Sequence, residues 1–457
     1  MNLSLATLDR VPLTVARPSF DPRGLKPGIL HLGVGNFHRA HQAVYTEDAI
    51  TKRGGDWGIV GVSLRRPDIP ALLTPQDNLY AVETLGTERH VRVMGVIGHT
   101  LTAPDSRAEL FGHFSAPHIR IVSLTITEKG YCLDGTGALA DDHADIVHDL
   151  KNADEPRSAI GWIVRGLARR ARANAGGVTI ISCDNLSENG AKLAGAVLRF
   201  VRAAEPSLVS WIENNVSFPQ TMVDCIVPAT DAATIARVEA DLGLHDSAPV
   251  AREEFAQWVI ENRFSGPRPA WDEVGAEIVA EVAPFERLKL HVLNASHSTL
   301  AYRGIPKGHR YVREAVADGE LARFVEAMVM EEIAPALSPL DVAGYWSRVR
   351  ARFANPRIDH RLAQIAEDGS AKLAQRIFPL LIANVRAGRP ASRLAQVVRA
   401  WLDFAKQGPV KDPESARLAA WTQSGARTES ALDDAHLFPE PFRTDQSVRA
   451  LILKAPA

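Results

Sequence analysis

Cysteine is scarce. Cys132, Cys183 and Cys225 are the only three in 457 residues, far apart and outside any CxxC pair. That spacing argues against a disulfide framework or a thiolate zinc site, and fits reduced residues of a cytoplasmic protein. An excess of one charge is also missing. The 52 Lys and Arg against 54 Asp and Glu leave a formal net charge of −2. Nothing in that balance argues for nucleic acid or an anionic membrane as a partner. No apolar run is long enough to span a bilayer. The opening segment MNLSLATLDRVPLTVARPSF breaks its apolar pattern at Asp9 and Arg10, unlike a signal peptide. Internal repeats and low-complexity segments are absent. What remains is the composition of an ordinary soluble globular chain, 46% apolar and 23% charged. Its length is large for one core, so two domains are expected.

The first half alternates strand and helix patterns. GILHLGVG, WGIVGVSL, IRIVSLTIT and VTIISCDN are β-branched runs of strand length. Helical patterns lie between them, such as AIGWIVRGLARRARANAGG with its closing glycines. This order predicts an α/β domain with a mainly parallel, Rossmann-type sheet. LYAVETLGTERHVRVMGVIGHT reads as a β-hairpin insertion turning at Gly86. Beyond about residue 285 the strands stop, and ELARFVEAMVMEEIAPAL, KLAQRIFPLLIANVRAG and SRLAQVVRAWLDFAKQG are amphipathic helical patterns. Pro267, Pro269 and Pro284 lie near the switch. The expected domains are 1–284, nucleotide-binding, and 285–457, mainly α-helical.

LHLGVGNFHRAHQAVY places Gly33 and Gly35 at the end of the first strand, just before a helix. Two glycines there permit a tight turn and close approach of backbone N–H groups to a phosphate, aided by the helix N-terminus. His38 stands where a third glycine belongs, so the dinucleotide fingerprint is imperfect. A plain strand-to-helix turn is the alternative. After the second strand, GVSLRRPD offers Asp68 for the ribose hydroxyls of NAD, while Arg65 and Arg66 would suit the extra phosphate of NADP. All three as solvated loop charges is the competing view. His38 and His41 have HxxH spacing, but no Cys or carboxylate cluster supports a metal pair. Arg39 and His41 are expected beside the cofactor or substrate.

The stretch KLHVLNASH puts a lysine, an asparagine and histidines among leucines and valine. On a helix turning about 100° per residue, Glu286, Lys289, Asn294 and His297 fall within an arc of roughly 140°. Leu288, Val292 and Leu293 are left to pack elsewhere. A carboxylate, an amine, an amide and an imidazole on one face suit hydride chemistry at a secondary alcohol. A lysine of lowered pKa moves the hydroxyl proton, and amide N–H groups stabilise the alkoxide-like oxygen. A partly exposed helix with its polar side in water is the plain alternative. A second amide site, SCDNLSENG, sets Asp184 and Asn185 at a strand's carboxyl end, and TMVDCIVPA puts Asp224 in a similar position.

GVGNFHRAHQAVY, DWGIVGV, QDNLY, VSLTITEKGY, SAIGWIV, SCDNLSENG, WIENNVSFPQTMVD, QWVIENRF, KLHVLNASHS and DGSAKLAQR together resemble the mannitol dehydrogenase family of long-chain polyol dehydrogenases and reductases, over nearly the whole chain. The resemblance implies a Rossmann-type N-terminal domain, a helical C-terminal domain and metal-free hydride transfer. It implies Lys289 as catalytic lysine, Asn185 and Asn294 as the oxyanion pair, His297 as the substrate-orienting histidine and Glu286 as the proton relay. It adds Asn36 and Phe37 to Gly33, Gly35 and Asp68 as cofactor contacts. Asp224 and Lys372 match substrate contacts, although Cys225 stands where an arginine is expected. Eight residues before Lys372 the mannitol dehydrogenases would carry an arginine, and this chain has Gln364. That version, with SHS around His297, looks more like the fructuronate reductase branch, whose carboxylate substrate wants a cation such as Lys372 or Arg361.

The expected protein is therefore an NAD-dependent oxidoreductase, NADP remaining open, that interconverts a 2-ketose and its alcohol. Fructose–mannitol is the leading pair and fructuronate–mannonate the alternative. Expected partners are a small polyol, ketose or sugar acid, with no nucleic acid, membrane or metal, in a monomer or small homo-oligomer. A sugar-responsive binding protein that has lost turnover is the rival, and the complete Lys289, Asn294 and His297 set argues against it.

Overall fold

Six short, β-branched runs make the frame of the N-terminal half in the computed structural model, which describes residues 1–425 and 427–456. They are β1 (Pro27–Leu32), β2 (Gly58–Ser63), β3 (Ile97–Thr102), β4 (Ile121–Leu124), β5 (Val178–Ser182) and β6 (Val216–Ser217). All pair in parallel, in the spatial order β3-β2-β1-β4-β5-β6. Alternation along each strand serves two cores. Leu30, Leu32, Val60, Val62, Val122 and Leu124 pack on one face, while Ile29, Ile59, Ile121 and Ile181 pack on the other. Burial on both faces is why these runs read as continuously apolar. Strand order reverses between β1 and β4, where a sheet of this kind opens a crevice at its carboxyl edge.

The hairpin forms as expected from Tyr80–Leu85 and Arg89–Met94. Val250–Glu253 adds to it in parallel. The last third of that stretch, however, leaves the hairpin and becomes β3, an edge of the main sheet. A third small sheet joins Thr221–Asp224, Gln257–Glu261 and Glu277–Val279. The chain divides into two compact units, Met1–Val282 and Ala283–Ala457. Among its described residues the second unit is helical, apart from a single bridge between Tyr311 and Arg361. Its core gathers Trp346, Phe378, Leu394, Trp401 and Phe442.

The entry to β5 hangs on one buried cation. Arg170, in the helix Ala159–Arg172, is 1% exposed. Its guanidinium donates to the carbonyls of Phe114, Ala116, Ala175, Gly176 and Gly177, at 2.8–3.0 Å. All five donors of the planar fork are directed at carbonyl oxygens, which fixes the Ala175–Gly177 turn against the helix Arg107–Ser115. Arg170→Lys keeps the charge but offers three donors without the fork. It should lower unfolding free energy by on the order of 2–4 kcal/mol, since buried carbonyls lose their partners. Denaturant titration checks this, and a loss below about 1 kcal/mol would remove Arg170 as the support of β5.

Candidate active site

In the N-terminal unit the carboxyl ends of β1, β2 and β4 open into a cavity of about 460 Å³. Its wall includes Gly33 and Gly35 from the turn after β1, Arg65, Arg66 and Asp68 after β2, and Thr125, Thr127 and Lys129 after β4. Gly33 has φ +97°, and a Cβ there would lie 2.1 Å from the Thr125 carbonyl oxygen. Only glycine fits so close a backbone approach at positive φ. This bare turn, an acid beyond the second strand and a volume in the usual range for small-ligand sites fit a nicotinamide dinucleotide.

Asn36 opens the helix Asn36–Ala40. Its side chain donates to Thr230 Oγ1 at 3.2 Å and accepts from Arg39 at 2.7 Å. The Phe37 ring stacks on His41, centroids 5.0 Å apart. His38, in the position of the absent third glycine, is buried and stacks on His31 of β1 with ring centroids 3.3 Å apart. His31 in turn reaches Ser123 Oγ, Thr125 Oγ1 and the Gly33 carbonyl at 2.8–3.2 Å. Burial pushes the His31 pKa down to about 3 and holds that of His38 well below its usual value. Neutral imidazoles therefore brace the turn from beneath. Arg39 and His41 do not line the cavity, contrary to expectation. The Arg39 guanidinium donates to the Ala248 carbonyl and lies against the Tyr80 ring. His41 bonds to the Gln257 carbonyl at 3.0 Å. Both tie the first helix to the rest of its unit, because it breaks at His41 after only five residues. Asp68 is exposed and pairs with Arg66 at 3.4 Å, while Arg65 pairs with Asp145 at 3.0 Å.

At the carboxyl end of β5, Asn185 is exposed and follows Asp184, which is engaged with the loop after β4. Asp224 ends its strand opposite Gln257 and is buried. Cys225 follows, half-buried.

In the C-terminal unit, Lys289 lies in a helix running from Ala283 to Gly304 that is not uniformly α-helical. Residues Lys289–Asn294 form a π-helical turn between the α-helical Ala283–Leu288 and Ala295–Gly304. This corrects the regular-helix geometry. An α-helix would set Lys289 and Asn294 about 140° apart. A turn closed by i→i+5 bonds holds more residues, so each advances the chain less and the two groups come closer to one face. Turns of this kind are rare and concentrate at functional sites. Val292 and Leu293 are buried, while Glu286, Lys289 and Asn294 are half-buried.

His297 lies one turn on, 7% exposed. Its ring packs on Phe353 (4.5 Å) and edge-on to His360 (4.9 Å). The Nε2 of His297 and the Nδ1 of His360 are buried without a hydrogen-bond partner among the described residues. Burial, then the neighbouring His360, Arg352, Arg376 and Lys372, holds His297 neutral. Burial with Arg352 and Lys372 takes His360 down to about 4. Lys372 donates to the Ile365 carbonyl at 3.2 Å, and burial followed by Arg376 lowers its pKa. Arg376 donates to Ser298 Oγ at 3.0 Å and to the Asn294 carbonyl at 3.4 Å, which fixes the end of the π turn. Arg361 and Gln364 are exposed around the short helix Leu362–Ile365.

The sequence reading missed His360, Arg352 and Arg376. Arg376 was within reach, one helical turn after Lys372 in Gly369–Arg376. His360 carries no local signal, because its contact with His297 is tertiary. Among the described residues no group of three or more His, Cys, Asp or Glu is placed to hold a metal ion, and no helix is long and apolar enough to cross a membrane.

Comparison with known proteins agrees with this layout. Residues 27–273 match the mannitol dehydrogenase Rossmann domain, and residues 281–441 the mannitol dehydrogenase C-terminal domain. A D-mannonate oxidoreductase of Escherichia coli is 40% identical over 92% of this chain and 89% of its own. A polyol:NADP oxidoreductase of Gluconobacter oxydans is 37% identical over 87% of this chain and 84% of its own. The structure of Pseudomonas fluorescens mannitol 2-dehydrogenase, a ternary complex with NAD and D-mannitol, superposes with a TM-score of 0.86. It shares 35% identity and covers 100% of this chain and 96% of its own. The chain belongs to the mannitol dehydrogenase family of oxidoreductases.

Proposed function

We propose that this protein interconverts a 2-ketose and its polyol with NAD, of the fructose–mannitol type. The observation that carries the reading is the π turn, which brings the Lys289 amine and the Asn294 amide toward one face with His297 one turn beyond. Gly33, Gly35 and Asp68 would hold a nicotinamide dinucleotide, which would accept or supply the hydride at the substrate's C2. Lys289 takes the hydroxyl proton in oxidation and returns it in reduction, and Glu286 passes it to solvent. The Asn294 and Asn185 amides donate to the oxygen as its charge grows. His297, kept neutral by burial, presents its unpartnered Nε2 to a neighbouring hydroxyl. Asp224 takes further hydroxyls of the substrate.

A second reading, a keto-sugar acid of the fructuronate–mannonate type, is favoured by one specific observation. Arg376 bonds to Ser298 beside His297 at 3.0 Å, Lys372 lies one turn earlier on the same helix, and Arg352 precedes the Phe353 ring that packs on His297, while Gln364 replaces the arginine expected of a mannitol dehydrogenase. A substrate carboxylate would find cations there.

Lys289→Ala should lower turnover by a factor on the order of 10² to 10⁴, the usual scale of lost acid–base catalysis, with little change in cofactor affinity. Stopped-flow absorbance at the nicotinamide band checks it, and an alanine variant that keeps most of the rate of its chemical step removes Lys289 from the role. A chelator should leave the wild-type rate unchanged.

NAD should be used in preference to NADP, because Asp68 would accept from the ribose hydroxyl and repel a phosphate. Asp68→Ala should narrow the preference, since Arg66 is released from its pair. Steady-state kinetics with both nucleotides decide this. A wild type that already prefers NADP assigns the subsite to Arg65 and Arg66.

Lys372→Met separates the two substrate readings. For a sugar acid it should reduce kcat/KM at least about tenfold, the loss of one charge-assisted bond, while fructose reduction falls less. For a polyol enzyme both substrates should fall by similar modest factors, with fructuronate poor from the start. Unchanged rates on both substrates exclude Lys372 from the site.

A further inference from the structure

A carboxylate with no assigned task stands beside the candidate catalytic amide. Asp184 directly precedes Asn185 at the carboxyl end of β5. Its Oδ1 accepts from the Thr127 N–H at 2.8 Å. Its Oδ2 accepts from the Ile126 N–H at 3.0 Å and from the Tyr131 hydroxyl at 2.6 Å. The same hydroxyl lies 2.5 Å from Ser182 Oγ on β5. All three donors to Asp184 belong to the loop after β4, and that loop supplies Ile126, Thr127, Lys129 and Gly130 to the wall of the cavity.

The loop is held in a shape it would not adopt unaided. Thr127 has φ 64° and ψ 160°, a region entered by essentially no residue but glycine. Such a residue persists only where its surroundings over-determine it. Thr127 is exposed, so packing does not hold it. Its backbone does, through the N–H bond to Asp184 and the Gly130 N–H bonded to its carbonyl at 2.9 Å. The chemistry also selects an aspartate. Three donors converge on the two oxygens, and the amide of an asparagine would aim its own N–H groups at one of them.

We propose that Asp184 is a positioning residue: its carboxylate fixes the strained Ile126–Tyr131 wall of the cofactor cavity and ties it to the turn that presents Asn185. The proposal rests on the nucleotide reading of the cavity only for its effect on binding. The clamp itself is a property of this unit's own residues.

Asp184→Asn tests it with three readouts. Without cofactor, hydrogen–deuterium exchange at Ile126 and Thr127 should quicken at least about tenfold, the scale of a lost charge-assisted bond. The Kd for NADH, followed by tryptophan fluorescence, should weaken by about tenfold. Adding Thr127→Gly to Asp184→Asn should recover part of that affinity, because glycine adopts the loop's backbone angles without strain. Unchanged exchange together with unchanged NADH affinity overturns the proposal. So does a double variant that binds no better than Asp184→Asn. If Asp184→Asn does not fold, Tyr131→Phe carries the test. Faster exchange at Ile126 and Thr127 in that variant supports the clamp, and unchanged exchange overturns it. A wild type that binds neither NADH nor NADPH overturns the proposed function, and the cofactor-free exchange still judges the clamp.

Discussion

The Thr125 carbonyl oxygen leaves no room for a side chain at position 33, and the N-terminal site is organised around that close approach. It sets the turn after β1 against the loop after β4, at the place where the strand order reverses. Contacts from beneath keep it closed. His31 touches Gly33, Ser123 and Thr125, and His38 covers His31. Stacked imidazoles this deeply buried stay neutral, so the brace adds no charge beneath the turn. The imperfect third glycine is thus a substitution with a purpose in packing. The helix it would have admitted against the sheet is only five residues long.

The loop after β4 extends the same constraint outward. It begins at Thr125, crosses the strained Thr127 and returns to β5 through Tyr131 and Asp184. The loop backbone and its hydrogen bonds thus link the turn after β1 to the segment bearing Asn185. Arg170 secures the opposite end of β5. The strand is therefore pinned at both ends, as the proposed placement of the Asn185 amide would require.

In the C-terminal unit the corresponding constraint is the π turn. It carries polar groups at half-buried positions beside Val292 and Leu293 in the core. Arg376 holds its end by bonding to the Asn294 carbonyl and Ser298. Burial, seconded by the cations nearby, keeps the His297 imidazole uncharged, so it offers one donor and one acceptor instead of two donors. A hydroxyl, which both donates and accepts, suits such a ring.

Much of this was legible in the residues alone. Apolar runs of strand length define four of the six strands of the main sheet, β1, β2, β4 and β5, less their exact bounds, and amphipathic periods define the helical half. Glycine at 33, acid at 68 and the Lys289, Asn294, His297 spacing each carry a local chemical reason. What stayed hidden depends on partners far along the chain. β3 reads as part of a hairpin until β2 captures it as an edge strand. His41 and Arg39 look like ligands until the Gln257 and Ala248 carbonyls take them. The π turn follows no residue period, because an inserted residue in a helix is decided by what packs against it. His360 and the clamp at Asp184 exist only once strands and helices are assembled. Short-range chemistry is written in neighbouring residues, whereas strain, burial and lowered pKa values arise only where distant segments exclude water together.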